Sequence, residues 1–255
     1  ELSACHECDH LHRYIPIPVG AKASCDFCGS LLYRHIPDSL NRSLALYFTA
    51  LILLLLANSF PFLSLTLGGR VVENVLMSGG WAMYEMGMGD LGLIIFFTSI
   101  GFPFIAIVGM LYLLVSVRLG YVPAGMGPIY RVINMITPWS LVSVFMLGVL
   151  IAIVKLQDIA NVIIGTSFFA LCALLIIFAA ARTNFDPKVL WSLTPHSNPN
   201  ESDLNPDAIY LNCHTCGLLS EEQGHQQHCP RCATPLHHRK HNSIEATWAL
   251  LMAAV

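Results

Sequence analysis

The apolar segment Pro138–Asp158 (PWSLVSVFMLGVLIAIVKLQD) is the clearest indication of the architecture of this chain. After Trp139 it runs without a charge to Lys155 and Asp158. As a helix rising about 1.5 Å per residue it is about 30 Å long, which matches the hydrocarbon core of a bilayer. Lys155 and Asp158 are three residues apart, so they share a helix face and can pair. Because charged side chains in membrane segments commonly serve a function, we take this pair as a candidate functional site. The alternatives are a lysine that extends to the interface and an aspartate in a short turn.

The composition indicates an integral membrane protein with polar modules attached. Of the 255 residues, 55% are hydrophobic and 11% are charged, whereas soluble domains carry about 25% charged residues. The net charge of −3 gives no indication of nucleic-acid binding. The chain has no signal-peptide pattern, and it ends in the apolar run Ser243–Val255, which is too short to span a membrane. We therefore expect it to be a piece of a longer protein.

Four uncharged runs are each long enough for one transmembrane helix. We expect spans at about 43–61, 91–117, 137–157 and 160–182, and a kink at Gly101-Phe102-Pro103 in the second span. If the N-terminus is cytoplasmic, only Arg70 and Lys155 of the 13 Lys and Arg residues lie outside, as the positive-inside rule favours. The others lie inside: Arg13, Lys22, Arg34, Arg42, Arg118, Arg131, Arg182, Lys188, Arg231, Arg239 and Lys240.

Eight of the nine cysteines form four C-x-x-C pairs, and Cys172 lies alone in an apolar run. The pairs are separated by 16 residues in the first half and by 12 in the second. Each set of four thiolates can close on one tetrahedral Zn²⁺. Disulfides and redox-active C-x-x-C pairs are the alternatives. His6, His10 and His12 could each replace a cysteine ligand, but four cysteines suffice, so we expect these histidines to be solvated. The predicted structural zinc ligands are Cys5, Cys8, Cys25, Cys28, Cys213, Cys216, Cys229 and Cys232.

The segment after the first span predicts a β-hairpin on the outer side of the membrane. Residues 62–76 alternate apolar and polar side chains around Gly68-Gly69. Ser78–Met88 (SGGWAMYEMGM) follows, and it is either a membrane-surface helix that anchors Trp81 and Tyr84 or part of a lipid-facing mouth. The residues predicted for such a mouth are Phe60, Phe62 and Trp81.

The second cysteine set begins a repeat of the first. Aligning Cys232 on Cys28 places Ser243 on Ser39 and Leu250 on Leu46. The predicted fold class is therefore an α-helical multi-span membrane protein, a four-helix unit with an outer β-hairpin, plus small β zinc ribbons in a tandem repeat whose second copy is incomplete. The predicted domains are zinc ribbon 1 (1–36), the membrane domain (37–192), a linker (193–208), zinc ribbon 2 (209–240) and the start of a second first span (241–255).

The order of several short motifs resembles the paraquat-inducible protein A family of bacterial inner-membrane proteins. Besides the cysteines, these motifs are Asn58-Ser-Phe-Pro-Phe62, Trp139-Ser140, Lys155-Leu-Gln-Asp158 and Phe185-Asp-Pro-Lys-Val-Leu-Trp191. They cover essentially the whole chain in the family's order. The chain departs from the family after Trp139-Ser140, where it has Val142 and Ser143 in place of an acidic residue.

This resemblance implies a function in the envelope of a Gram-negative bacterium. It implies a non-enzymatic inner-membrane component that loads or unloads phospholipid for a periplasmic tunnel protein of the MCE type. It also implies that Lys155 and Asp158 belong to a polar network inside the membrane domain. A coupling of this network to protons is a further hypothesis. Because histidines are absent from the predicted spans, a proton relay there would use Asp158, with Glu85 and Asp90 as the less favoured alternatives.

Two other functions compete with transport. The chain would instead be a membrane scaffold whose zinc ribbons recruit a cytoplasmic partner, or a redox- or zinc-responsive protein of the envelope stress response. Transport predicts a lipid-sized outer cavity, a scaffold predicts close-packed spans with an exposed ribbon face, and a sensor predicts exposed metal thiolates. An enzyme is not expected, because the sequence has no nucleophile constellation, phosphate loop or H-E-x-x-H pattern.

Overall fold

The fold is described from a computed structural model of the chain. It describes residues 2–5, 7–67, 70–74, 84–85, 87–123, 125–140, 142–156, 161–191, 198–199, 210–221, 228–236 and 243–253. The chain divides into two compact units. One comprises residues 36–193, and the other comprises residues 1–35 together with residues 194–255.

The unit of residues 36–193 is mostly helical. Four of its helical segments are long and apolar enough to cross a membrane, and each overlaps one of the four uncharged runs. These segments are Ser39–Ser59, Gly89–Arg118, Met126–Lys155 and Thr166–Asn184. Within an 18-residue apolar stretch of each helix, only 22–28% is buried inside the protein. Most of the apolar side chains therefore face outward. Such a surface is stable against lipid tails and would be costly in water.

The first and last spans form the central helix pair. Helix α1 (Ser39–Ser59) buries Ser43, Tyr47, Ala50, Leu54 and Ala57, which recur at alternating spacings of four and three residues. This is the spacing that keeps one face of a helix against an antiparallel partner. Small residues on that face let the two backbones approach closely.

The partner helix, which we number α6 (Thr166–Asn184), presents the same spacing. It buries Ser167, Leu171, Leu174 and Ala181. Hydrogen bonds link both ends of the pair. Ser167 Oγ donates to the carbonyl of Ala57 at one end. At the other end, Ser39 Oγ donates to the carbonyl of Asn184 and accepts from the N–H of Asp186.

The second span is interrupted where Gly101-Phe102-Pro103 predicts a kink. It consists of α2 (Gly89–Phe96), a π-helical turn (Phe97–Gly101) and α3 (Phe102–Arg118). Pro103 lies in the first turn of α3, where its missing N–H costs little. The π-helical turn is thus the local structure by which this span accommodates the proline.

The third span is also divided. Helix α4 (Met126–Ile136) ends in a 3₁₀ turn (Thr137–Trp139), and α5 (Val142–Leu156) follows. Helix α7 (Pro187–Trp191) comes directly after α6. Helix α4 lies close to α3, because an added Cβ at Gly109 would meet Ile133 Cδ1 at 3.0 Å.

A three-stranded sheet lies at the end of this unit where α1 finishes and α6 begins. Strand β5 (Leu63–Leu67) pairs antiparallel with β6 (Arg70–Asn74) and with β7 (Asn161–Ile164). Gly68-Gly69, the turn of the predicted hairpin, lies outside the described residues.

The span predicted at 160–182 starts too early, because residues 161–164 form a strand and α6 begins at Thr166.

The other unit contains the eight paired cysteines, and its first part has four short strands. Strand β1 (Leu2–Ala4) pairs with β2 (Leu11–Arg13), and β3 (Lys22–Ser24) pairs with β4 (Leu31–Arg34). In its second part, β8 (Tyr210–Asn212) pairs with β9 (Leu219–Glu221), and a bridge joins His228 to Pro235. Helix α8 (Ser243–Ala253) is the last described element. We call residues 2–35 module 1 and residues 210–236 module 2.

Candidate metal centres and membrane site

The eight paired cysteines lie on four turns of the same backbone geometry. In each turn the N–H four residues after the first cysteine donates to that cysteine's carbonyl, over 2.7–3.0 Å. The residue at this position has a positive φ in all four turns: Asp9 (57°), Gly29 (72°), Gly217 (71°) and Ala233 (57°). Glycine adopts this conformation without cost, and aspartate and alanine adopt it at some cost.

The turns bring the sulfurs together in two groups of four. Within each group all four Sγ atoms lie within 4.8 Å of one another. Two sulfur pairs in module 1 are 3.6 Å apart, and in module 2 the corresponding pairs are 3.4 and 3.5 Å apart. None of these eight cysteines forms a disulfide bond. A tetrahedral ion with metal–sulfur bonds of about 2.3 Å requires sulfurs roughly 3.8 Å apart. Each group therefore fits a tetrahedral metal ion, and four sulfurs are the donor set of zinc or iron.

Hydroxyl groups support both clusters from the same position, two residues after the last cysteine. Ser30 Oγ lies 3.0 Å from Cys5 Sγ and 3.1 Å from Cys28 Sγ. Thr234 Oγ1 accepts a hydrogen bond from Cys232 Sγ and donates one to Thr215 Oγ1. Hydrogen bonds from the Ser30 side chain and backbone lower the pKa of the Cys28 thiol, which favours the thiolate that binds metals. In module 1, His12 Nε2 also lies 3.1 Å from Cys25 Sγ, so His12 contacts a cysteine and was not simply solvated as predicted.

The two clusters differ in their exposure. All four cysteines of module 2 are buried, whereas Cys8 of module 1 is half-buried and Cys28 is exposed. Module 2 also buries the side chains of Leu211, Leu218, Leu219 and Leu236. Module 1 has Leu2 as its buried leucine, and it exposes Phe27 at 76%. A ligand or oxidant in solution therefore reaches a sulfur of module 1 more readily than one of module 2.

Asn198 connects the two modules within their common unit. Its Nδ2 donates to the carbonyl of Leu2 over 2.9 Å, and its Oδ1 accepts from the N–H of Leu219 over 3.0 Å. The N–H of Leu2 also donates to the carbonyl of Pro199. The sequence predicted only a polar linker here. A single asparagine among Ser, Pro and Asn residues gives no periodic signal, so its contacts were not predictable from the sequence.

The structure places one member of the predicted polar network. Lys155 lies in the last turn of α5, toward β7, and its side chain is exposed. Asp158 lies outside the described residues. The pairing of these two residues therefore stays a prediction.

The three residues of the predicted lipid-facing mouth have different environments. Phe60 ends α1 and is 47% exposed. Phe62 is buried, with its ring 5.8 Å from that of Phe168. Phe62 therefore belongs to the packing between β5 and α6, which differs from the prediction. Trp81 lies outside the described residues.

Four apolar helices of spanning length and two clusters of four cysteines define a class of protein. The chain is a multi-span membrane protein that carries two candidate metal centres. It belongs to the paraquat-inducible protein A family, because the sequence model of that family matches residues 40–194.

Several curated proteins are similar along the whole chain. The lipophilic envelope-spanning tunnel protein A of Escherichia coli K12 is 28% identical over 100% of this chain and 58% of its own length. The intermembrane transport protein PqiA of the same strain is 26% identical over 98% of this chain and 60% of its own length. A probable intermembrane transport protein of Haemophilus influenzae is 26% identical over 100% of the chain and 62% of its own length. The chain thus spans about six tenths of the length of these relatives. No solved structure gives a significant match.

Proposed function

We propose that this protein is a non-enzymatic inner-membrane component of a system that transports phospholipid across a bacterial envelope. The observation that carries the proposal is the similarity of the whole chain to proteins named for intermembrane transport and for an envelope-spanning lipophilic tunnel. In this proposal the protein loads or unloads lipid at the inner membrane for a periplasmic partner with MCE domains.

The distribution of cations supports a defined orientation. Arg42 in the first turns of α1, Arg118 at the end of α3 and Arg182 in the last turn of α6 lie at one end of the membrane unit. The three-stranded sheet and Lys155 lie at the other end. By the positive-inside rule the arginine end faces the cytoplasm. Both modules then lie in the reducing compartment, where free thiolates hold Zn²⁺ as structural ribbons.

Several features support a tandem repeat. The two modules share the turn geometry and the supporting hydroxyl described above. Helix α1 begins at Ser39, 11 residues after Cys28, and α8 begins at Ser243, 11 residues after Cys232. A second membrane unit that begins with α8 would complete the repeat.

We expect Lys155 and Asp158 to act together at the sheet end. In the proposed mechanism, protonation of Asp158 breaks its pair with Lys155 and lets the surrounding cavity change shape. Charged groups in a membrane persist where they pair or serve a function. Asp158→Asn and Lys155→Met should each slow lipid transfer about tenfold or more, because each leaves one charge without its partner. Arg131→Gln, at the opposite end, serves as the matched control and should transfer lipid at the parental rate.

The experiment measures movement of isotope-labelled phosphatidylethanolamine from vesicles that contain the protein to acceptor vesicles. It is run with and without an MCE-domain protein and from pH 5.5 to pH 8.5. Full transfer by Asp158→Asn at every pH would refute the coupling. A parental protein that neither retains phospholipid on purification nor moves it would refute transport itself.

A membrane scaffold is the second candidate, and one surface favours it. In module 1 the exposed ring of Phe27 stacks on His10 with ring centroids 5.7 Å apart. Exposed aromatic rings are typical anchors of protein interfaces. A scaffold predicts that Phe27→Ser abolishes the cellular function while Asp158→Asn preserves it, and transport predicts the reverse.

A further inference from the structure

A cavity of about 200 Å³ lies in the membrane unit, at its arginine end. It is formed by α1, α3, α4, α6 and the start of α7. Phe185 and Pro187 of the Phe185–Trp191 motif line it, and the proposed transport mechanism does not use it. The lining residues that matter are Tyr47, Met110, Tyr130, Asn134, Phe178 and Arg182.

The charge in the lining of the cavity is positive. Among the described residues, the lining contains the cation Arg182 and no carboxylate. Arg182 lines the same cavity as the phenol side chains of Tyr47 and Tyr130. Arg182 is exposed, whereas Tyr47 and Tyr130 are buried. The cavity thus extends from an exposed guanidinium inward to two phenol groups.

Aromatic packing holds the two tyrosines in place. The ring of Tyr47 meets Phe178 edge-on at 6.3 Å. Tyr130 has Trp191 at 5.5 Å and Phe185 at 6.4 Å. Side chains fixed in this way need little further ordering to bind a ligand, so the site is largely pre-organised.

The ligand class follows from these donors. A guanidinium offers paired N–H donors whose geometry matches a phosphate, and tyrosine O–H and asparagine amide groups add further donors. A volume of about 200 Å³ is below the roughly 300–1,000 Å³ of pockets that enclose a whole drug-sized ligand. It fits the phosphate and part of the glycerol of a lipid, with the acyl chains outside among the apolar helix surfaces.

We propose that this cavity binds the phosphate group of a phospholipid headgroup in the leaflet at the arginine end, with Arg182 as the charged ligand and Tyr47 as a neutral donor. The site is distinct from the sheet end, where Lys155 lies. It shares with the proposed function the membrane placement of the helices, but it does not require that the protein moves lipid.

The test uses the full chain, stripped of lipid in detergent, and measures binding by native mass spectrometry. Three probes separate the sources of a phosphate: phosphatidylglycerol, a diacylglycerol with the same acyl chains, and inorganic phosphate. Arg182→Gln should weaken phosphatidylglycerol binding about tenfold or more, because a charge-assisted hydrogen bond is lost. Tyr47→Phe removes one hydroxyl and should weaken it about fivefold. Arg118→Gln, at the same membrane end but outside the cavity, should change it less than twofold.

Each outcome decides the proposal. Equal binding by Arg182→Gln and Arg118→Gln would overturn it, and so would diacylglycerol binding as tightly as phosphatidylglycerol. Inorganic phosphate binding as tightly as the lipid would overturn the lipid as the source. If Arg182→Gln does not fold, Tyr47→Phe decides, because it keeps the ring and its packing. A chain that binds phosphatidylglycerol here but transfers no lipid would contradict the proposed transport and leave this site standing.

Discussion

Gly165→Ala is expected to destabilise the membrane unit more than a glycine-to-alanine substitution at any other described glycine. Gly165 lies between β7 and α6, and its N–H donates to the carbonyl of Phe62. A Cβ at this position would lie 2.0 Å from the carbonyl oxygen of Pro61. That oxygen belongs to the backbone, so no side-chain rotation relieves the clash, and β5 or α6 must move. We expect a loss of about 3 kcal/mol in the free energy of unfolding, the upper part of the range for overpacking.

The measurement is the apparent melting temperature in detergent, which should fall by roughly 10 °C. Gly148→Ala is the matched control, because an added Cβ at Gly148 in α5 meets nothing within 4 Å. It should be neutral or stabilise by up to about 1 kcal/mol, as alanine favours helix over glycine. Equal melting temperatures for the two variants would contradict the contact between Pro61 and Gly165.

The second large effect is expected at the candidate metal centres, where the two modules should respond differently to loss of one cysteine. Cys213→Ser removes a fully buried sulfur of module 2, and water cannot reach the vacated position. Bound metal supplies on the order of 10 kcal/mol to the folding of such small modules. We therefore expect Cys213→Ser to lower the zinc content from two ions to one per chain and to unfold module 2.

Cys28→Ser is the comparison within module 1. Cys28 is exposed, so water can complete a three-cysteine site, as it does in open zinc sites. This variant should still bind two ions in excess zinc but lose one rapidly to EDTA. Cys172→Ser changes the lone cysteine of α6 and should keep both ions. The zinc content per chain, measured by elemental analysis before and after EDTA, checks all three, and an unchanged content in Cys213→Ser would count against the cluster.

The sequence predicted the helical spans because their signal is local. Long apolar runs bounded by charges, such as the one before Lys155, have few alternatives to a membrane helix. The cysteine clusters were predictable for the same reason, since two C-x-x-C turns place four sulfurs with little help from the rest of the chain.

The missed features depend on contacts between distant residues. Val162-Ile163-Ile164 continues an apolar run, and a short apolar run does not distinguish a strand from a helix. Its pairing with β5 decides for a strand. Phe62 alternates as a hairpin residue would, yet it packs on Phe168 of α6. Arg182 ends the fourth predicted span, and only the packing of α1 against α6 places it in one cavity with Tyr47.

The proposed zinc sites in the reducing compartment and the proposed transport function both depend on the orientation of the membrane unit. It is tested by labelling two engineered cysteines in intact cells with a membrane-impermeant maleimide. Tyr84, before α2, and Tyr121, between α3 and α4, are 66% and 60% exposed, so a cysteine at either position is accessible from its own side. The account predicts that the reagent labels Tyr84→Cys from the periplasm and leaves Tyr121→Cys and the parental chain unlabelled until the cells are lysed. Labelling of Tyr121→Cys in intact cells, with Tyr84→Cys protected, would contradict the account.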